Sequence, residues 1–209
     1  MSDYISVGSN IIELTEVQAA AIVAAIRELK KTGTEKKKLS EFGPGEVVKI
    51  GEHEMIVLEQ SGDTTALIRK NVLSNKENFG ESNNYNGSHV DGVCNKFAEV
   101  IASIVGEKNL VEHTVDLTSD DGLKDYGKVR RRASLMTCDL YRRYVDILDQ
   151  FKPDEWWWLA TAFSTKRHDN DYWGKCVSPS GSVNGHHCDY GDYGVRPFCI
   201  LKSDIFVSQ

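Results

Sequence analysis

Three consecutive tryptophans, Trp156-Trp157-Trp158, open the run EWWWLATAF (Glu155–Phe163). The run reads as a strand, flat and aromatic. Successive strand side chains point to opposite faces, so the three indoles must alternate. At least one of them then faces outward or enters a second packing layer. We expect Trp157 in the core, with Trp156 and Trp158 on the other face.

The remaining segments set the architecture. From Leu39, GEVVKI, HEMIVLEQ and TTALIRKNVL are short β-rich runs split by GPG, IGE and SGD, which predicts a meander of two or three strands. NVLSNKENFGESNNYNGS is polar, Asn-rich loop. HVDGVCNKFAEVIASIVG predicts a helix with Val93, Phe97, Val100, Ile101 and Ile104 on its apolar side. RRASLMTCDLYRRYVDILDQF predicts a second, starting at Thr137 or Asp139, with Leu140, Tyr144, Ile147 and Leu148 inward. KCVSPSGSV and GVRPFCILK are further strands, Pro197 marking an edge or a strand start. Strands, then two helices, then strands is the order of an α+β fold rather than of βαβ units.

At 209 residues the chain holds one domain with a real core and a short appendage. The appendage is TEVQAAAIVAAIRELKK (Thr15–Lys31). Thr15 and Gln18 have capping-box spacing, Ile22, Ile26 and Leu29 share a face, and Gly33 is the expected stop. Residues 1–14 give no clear signal. We divide the chain into a helical segment and linker, 1–38, and a main domain, 39–209. The helix either packs on its own domain or serves attachment or homo-oligomerisation through residues 15–31.

Net charge is -6, and the basic runs Lys36–Lys38 and Arg130–Arg132 read as solvated faces, so a nucleic-acid partner is not expected. No apolar run is long enough to span a bilayer, and no signal pattern opens the chain. The five cysteines, Cys94, Cys138, Cys176, Cys188 and Cys199, are odd in number and scattered, with no C-x-x-C pair. Free thiols and cytoplasmic synthesis follow. Glycine-rich nucleotide loops, H-E-x-x-H and G-x-S-x-G are all absent.

Chemistry-bearing residues gather instead in SVNGHHCDYGDYGVRPF (Ser182–Phe198). Adjacent His186 and His187 on a strand would point to opposite faces and would rarely share one zinc ion. A nucleophile pair of Cys188 with His186 or His168 would need a third orienting group and a pocket. Asp189 and Asp192 in a Gly-rich loop read first as turn formers. RHDNDYWG and CDYGDYG crowd oxygen ligands suited to calcium but lack EF-hand spacing, so no cofactor is called for. What remains is the composition of a binding surface: Tyr gives rigid contact area, and Ser, Gly and Asn adapt their hydrogen bonds. From Ser182 to Tyr193 there is no Lys, Glu, Gln, Met or Trp. Codons ending in pyrimidine cannot encode those five residues.

ASLMTCDLYRRYVDIL, EWWWLATAF and CVSPSGSVNGHHCDYGDYGVRPFCIL together resemble the C-type-lectin-fold proteins that retroelements diversify in phages and their hosts. They also resemble a broader family of phages and gut bacteria with a WWL-[RA]-[ST] … G … GVRP ending. The likeness covers roughly residues 40–205 and is tightest from Ala133 onward. It rests most on Trp157–Thr161 and Gly194–Pro197. The resemblance implies a C-type-lectin-like fold whose variable region, about 167–193, precedes the GVRP strand. It implies ligand contacts at His168, Asn170, Asp171, Tyr172, Asn184, His186, His187, Asp189, Tyr190, Asp192 and Tyr193. Trp157, Trp158, Arg196 and Pro197 would be scaffold, and Trp173 and Lys175, which randomised Asn codons do not produce, fixed framework. The implied role is non-enzymatic recognition of a protein or glycan on a target cell surface, from a virion or a displaying cell. Formylglycine-generating enzymes share the broad fold, but their paired cysteines and GFR ending are not evident. A calcium-dependent sugar-binding lectin is the third reading.

Overall fold

The computed structural model describes residues 3–7, 10–32, 36–73 and 76–209, with backbone alone for 3–7, 10–14 and 25–32. The chain divides into two compact units, Met1–Lys36 (with Gln209) and Lys37–Ser208. In the first, β1 (Asp3–Val7) pairs antiparallel with β2 (Asn10–Leu14), and α1 (Glu16–Thr32) follows. The hairpin fills the stretch that the sequence reading left blank. The capping box forms: the Thr15 N–H donates to Gln18 Oε1 (3.0 Å), and the Gln18 N–H donates to Thr15 Oγ1 (3.3 Å). Gly33 and the side chains of Ile26 and Leu29 lie outside the described residues.

The second unit opens with β3 (Lys37–Lys38) and the expected meander, β4 (Val47–Ile50), β5 (His53–Ser61) and β6 (Thr64–Arg69). A polar loop carrying β7 (Lys76–Glu77) leads to α2 (His89–Val105). Strands β8 (Leu110–Val111), β9 (His113–Asp116), β10 (Lys128–Arg131) and β11 (Ala133–Ser134) precede α3 (Cys138–Arg143) and α4 (Val145–Leu148). Then come β12 (Trp157–Ala162), β13 (Trp173–Val177), β14 (Val183–His187), β15 (Tyr193–Gly194), β16 (Phe198–Lys202) and β17 (Phe206–Val207). One sheet runs β11-β16-β6-β5-β4, with β8 also on β16, and a second runs β14-β13-β12-β15-β7. Among the described residues, pairing is antiparallel except between β12 and β15. The fold is mixed α+β, with several antiparallel sheets and few helices.

Two strands are buried on both faces, which is why MIVL and WWLATA show no alternation. On β5, Met55 and Val57 enter a cluster with Phe97 and Ile101 of α2. Ile56 and Leu58 enter another with Tyr141, Leu148 and Trp157. On β12, Trp157 and Leu159 join that second cluster, whereas Trp158 and Ala160 join a third with Phe79, Tyr85 and Val195. The indoles alternate as expected, and the face opposite Trp157 is a second core. Trp157 meets Tyr141 edge-on at 5.7 Å, and Trp158 meets Phe79 at 5.6 Å.

Both helices expected in the main domain differ from the sequence reading. On α2, Val100 and Ile104 are exposed, whereas Val90, Cys94, Ala98 and Ala102 are buried beside Phe97 and Ile101. Asp91 rotates the face: it is buried, and its carboxylate takes Arg131 Nε and Nη2 at 2.7 and 2.6 Å. The second predicted helix is capped by the Thr137 hydroxyl, which accepts from the Leu140 N–H at 3.2 Å. It breaks at Tyr144 (φ -112°, ψ 16°), so Leu140 and Ile147 are only half-buried. In the basic run, Arg130, Arg131 and Arg132 bind Glu112, Asp91 and Glu107 respectively.

Candidate functional site

The GVRP segment is scaffold for reasons specific to each residue. A Cβ on Gly194 would lie 2.6 Å from Val72 Cβ and Cγ1, so only glycine fits. Val195 is buried and its carbonyl accepts from the Leu73 N–H at 2.8 Å. Arg196 is 1% exposed. Its Nε donates to Arg69 O (2.9 Å), and its Nη2 donates to Lys70 O (2.9 Å) and Phe151 O (3.0 Å). The guanidinium lies 5.2 Å from the centre of the Trp157 ring, and burial lowers its pKa to about 10. Pro197 is buried and its carbonyl accepts from the Arg69 N–H at 2.9 Å. One cation thus ties β6, the segment after α4 and the strand following the GVRP run.

The loop between β12 and β13 is held by residues that the sequence reading passed over. Asn83 is fully buried. Its Nδ2 is shared among the carbonyls of Ser164 (3.1 Å), Asn170 (3.1 Å) and Trp173 (2.9 Å). Its Oδ1 accepts from the Tyr126 hydroxyl at 2.7 Å, and its own N–H donates to Asp171 O at 2.8 Å. Asp121 accepts from the hydroxyls of Ser119 (2.5 Å) and Ser164 (2.6 Å) and meets His168 Nδ1 at 2.9 Å. Those hydroxyl bonds, with His168, hold its carboxyl well below the usual aspartate range. Asp125 takes the Thr165 hydroxyl (2.7 Å) and Arg167. An acidic loop between β9 and β10 therefore clamps the tip loop from outside.

On this frame the expected contact residues separate. His168, Tyr172, Asn184, His187, Asp189, Tyr190 and Asp192 are exposed, and Asn170, Asp171 and His186 are half-buried. Tyr193 is not on the surface: it is 6% exposed, stacked on Trp156 (5.3 Å, 9° between planes) and tilted against Trp158 (4.7 Å). Its place on β15, a strand inside the second sheet, turns it inward. Trp173 is half-buried, and Lys175 is buried with its ammonium 3.0 Å from Asp120.

A band of neighbouring rings, exposed or half-buried, wraps the edge strand β14. Phe163 meets Trp173 at 6.4 Å, Trp173 meets His187 at 4.8 Å, and His187 stacks on Tyr172 at 5.4 Å. His187 continues to His186 at 6.3 Å, and His186 to Tyr190 at 4.3 Å. The pairing of β13 with β14, Trp173 opposite His187 and Gly174 opposite His186, creates this order. A cleft of about 560 Å³ lined by Asn78, Ser82, Asn84, His89 and Asp189 adjoins it.

All five thiols are free and buried. Burial pushes Cys94, Cys176 and Cys199 up to about 12 and raises Cys138 and Cys188. Among the described residues no three His, Cys, Asp or Glu side chains cluster as metal ligands, and no helix is long and apolar enough to cross a membrane. No family model, no curated protein and no solved structure matches this chain.

Proposed function

We propose that Lys37–Ser208 is a C-type-lectin-like binding domain. Its end formed by the β12–β13 loop, β14 and the turn after it recognises a protein or glycan ligand on a target cell surface. The observation that carries this reading is the partition of one short stretch. From Asn184 to Asp192 most side chains are exposed, whereas Tyr193 to Phe198 are buried. Side chains of the first kind can change with little effect on the core, while the second kind hold the backbone that presents them. The exposed rings are of the type that concentrates binding energy at small entropic cost. The thiols give the enzymatic alternative no support, because all five are buried and burial raises the pKa of each, which disfavours the nucleophilic thiolate.

Diversification by a retroelement is part of the proposal. It accounts for the lack of Lys, Glu, Gln, Met and Trp between Ser182 and Tyr193. The N-terminal unit, through α1, would supply attachment or self-association, raising affinity by multivalent display on a virion or cell surface. The coding DNA and its surroundings test the retroelement part. Asn-type codons within 168–193, a near-identical template repeat and a neighbouring reverse transcriptase gene are expected. Absence of both repeat and transcriptase overturns the retroelement part and leaves the binding surface to be judged by binding. For the latter, a glycan and protein array is probed with the full chain and with a Tyr172→Ala/Tyr190→Ala variant, with and without chelator. Loss of a specific signal in the variant, unchanged by chelator, is the expected result. Chelator sensitivity would favour a calcium lectin.

A further inference from the structure

We infer that the exposed ring band selects cationic partners, specifically a polypeptide segment rich in Arg or Lys. This rests on the reading of the band as a binding surface and names the chemistry of its ligand. Phe163, Tyr172 and Tyr190 are 43%, 46% and 40% exposed, large values for rings on a folded domain. Asp169, Asp189 and Asp192 stand exposed on the same loops. Two cations of this region are committed elsewhere, Arg167 to Asp125 and Lys175 to Asp120, and the His168 ring meets Asp121. Among the described residues, Asp169, Asp189 and Asp192 have no ion-pair partner. Tyr190 lies in the chain between Asp189 and Asp192, so an exposed ring and unpaired carboxylates share one turn, with Lys166 as the one cation of the described β12–β13 loop without an ion pair. An aromatic face attracts a cation through its quadrupole, and a neighbouring carboxylate adds a charge-assisted hydrogen bond.

The protein already holds cations in this way. The Lys175 ammonium lies 5.2 Å from the centre of Phe163, a ring of the band itself, and 3.0 Å from Asp120. Arg143 lies 5.3 Å from the Tyr144 ring and 2.9 Å from Glu59. Tyr190, between Asp189 and Asp192 in the chain, offers the same residue types with the cation missing, and Tyr172 adds a second exposed ring. A guanidinium fits best, because it can stack on a ring and pair with a carboxylate at once.

The test uses the full chain and three labelled probes: a peptide of arginines spaced by Gly-Ser, its glutamate counterpart, and a heparin oligosaccharide. Binding is read by fluorescence anisotropy at physiological ionic strength. The arginine peptide is expected to bind at least about tenfold more tightly than either anionic probe. Tyr172→Ala/Tyr190→Ala and Asp189→Asn/Asp192→Asn should each weaken it about tenfold. Glu99→Gln/Asp146→Asn removes the same charge from α2 and α4 and should leave binding unchanged. Equal binding of the glutamate peptide or heparin, no measurable arginine-peptide binding, or an equal loss in the α2/α4 variant would overturn the inference. If an anionic probe binds and the face variants abolish it, the cationic assignment falls while the binding surface stands. If the face variants lose their cooperative melting transition, the binding-surface reading falls as well.

Discussion

Gly194 and Arg196 act as structural residues just after a stretch whose side chains mostly face solvent. Gly194→Ala places a methyl 2.6 Å from two carbons of Val72. Overpacking of that kind costs about 1–3 kcal/mol, which urea denaturation will read as a lower midpoint at constant slope. Arg196→Met fills similar volume but strips hydrogen bonds from the carbonyls of Arg69, Lys70 and Phe151. Leaving these part-buried acceptors unpaired should cost roughly 1–3 kcal/mol in the same measurement. Asp192→Ala, two residues before Gly194 and exposed, should stay within about 0.5 kcal/mol. The GVRP motif was visible in the sequence, but Val72 and the three carbonyls were not. They come from distant segments that only the fold brings together.

At the scale of elements, legibility followed local pattern. The meander β4–β6 was readable from β-rich runs between Gly-containing turns, and β12 from its aromatic run. The hairpin β1–β2 was missed although V-G-S-N separates two short apolar runs there. The face of α2 was assigned by counting large apolar residues. A buried Asp91–Arg131 pair and a stripe of small residues decided it instead. Tyr193 was assigned by composition, and its strand turned it inward. The acidic clamp was invisible because Asp121 and Asp125 meet Ser164 and Thr165 across the fold. The clamp makes the tip loop acid-sensitive. Bonds from the Ser119 and Ser164 hydroxyls, with His168, hold the Asp121 carboxyl well below the usual aspartate range. A carboxyl with a depressed folded-state pKa stabilises fully above its unfolded value and loses that contribution as pH falls through the folded one. Amide exchange, corrected for intrinsic rates, should show residues 163–171 losing protection between about pH 4 and pH 2. Asp121→Asn should lower that protection already at neutral pH. Unchanged protection in both experiments would contradict the clamp.

For the molecule as a whole, His113 sets a second pH dependence. It packs edge-on against Phe198 at 5.1 Å, and its Nε2 meets the Ser134 hydroxyl at 2.9 Å. Its Nδ1 is buried without a partner, and burial lowers its pKa to about 4. The folded state therefore favours the neutral ring. The stabilisation is complete above the unfolded value near pH 6.5 and is lost as pH falls toward 4. Global stability should drop by up to about 3 kcal/mol across that window, and His113→Gln should flatten the slope.

The central claim is that one end of the Lys37–Ser208 unit is free to vary because its side chains carry little of the folding energy. A single variant tests it, with Tyr172, Asn184, His187, Asp189, Tyr190 and Asp192 all replaced by Ser, by calorimetric melting beside the parent. The account predicts a cooperative transition within about 5 °C of the parent, because exposed substitutions each change stability little. Loss of the cooperative transition, or a fall of more than about 15 °C, would contradict it.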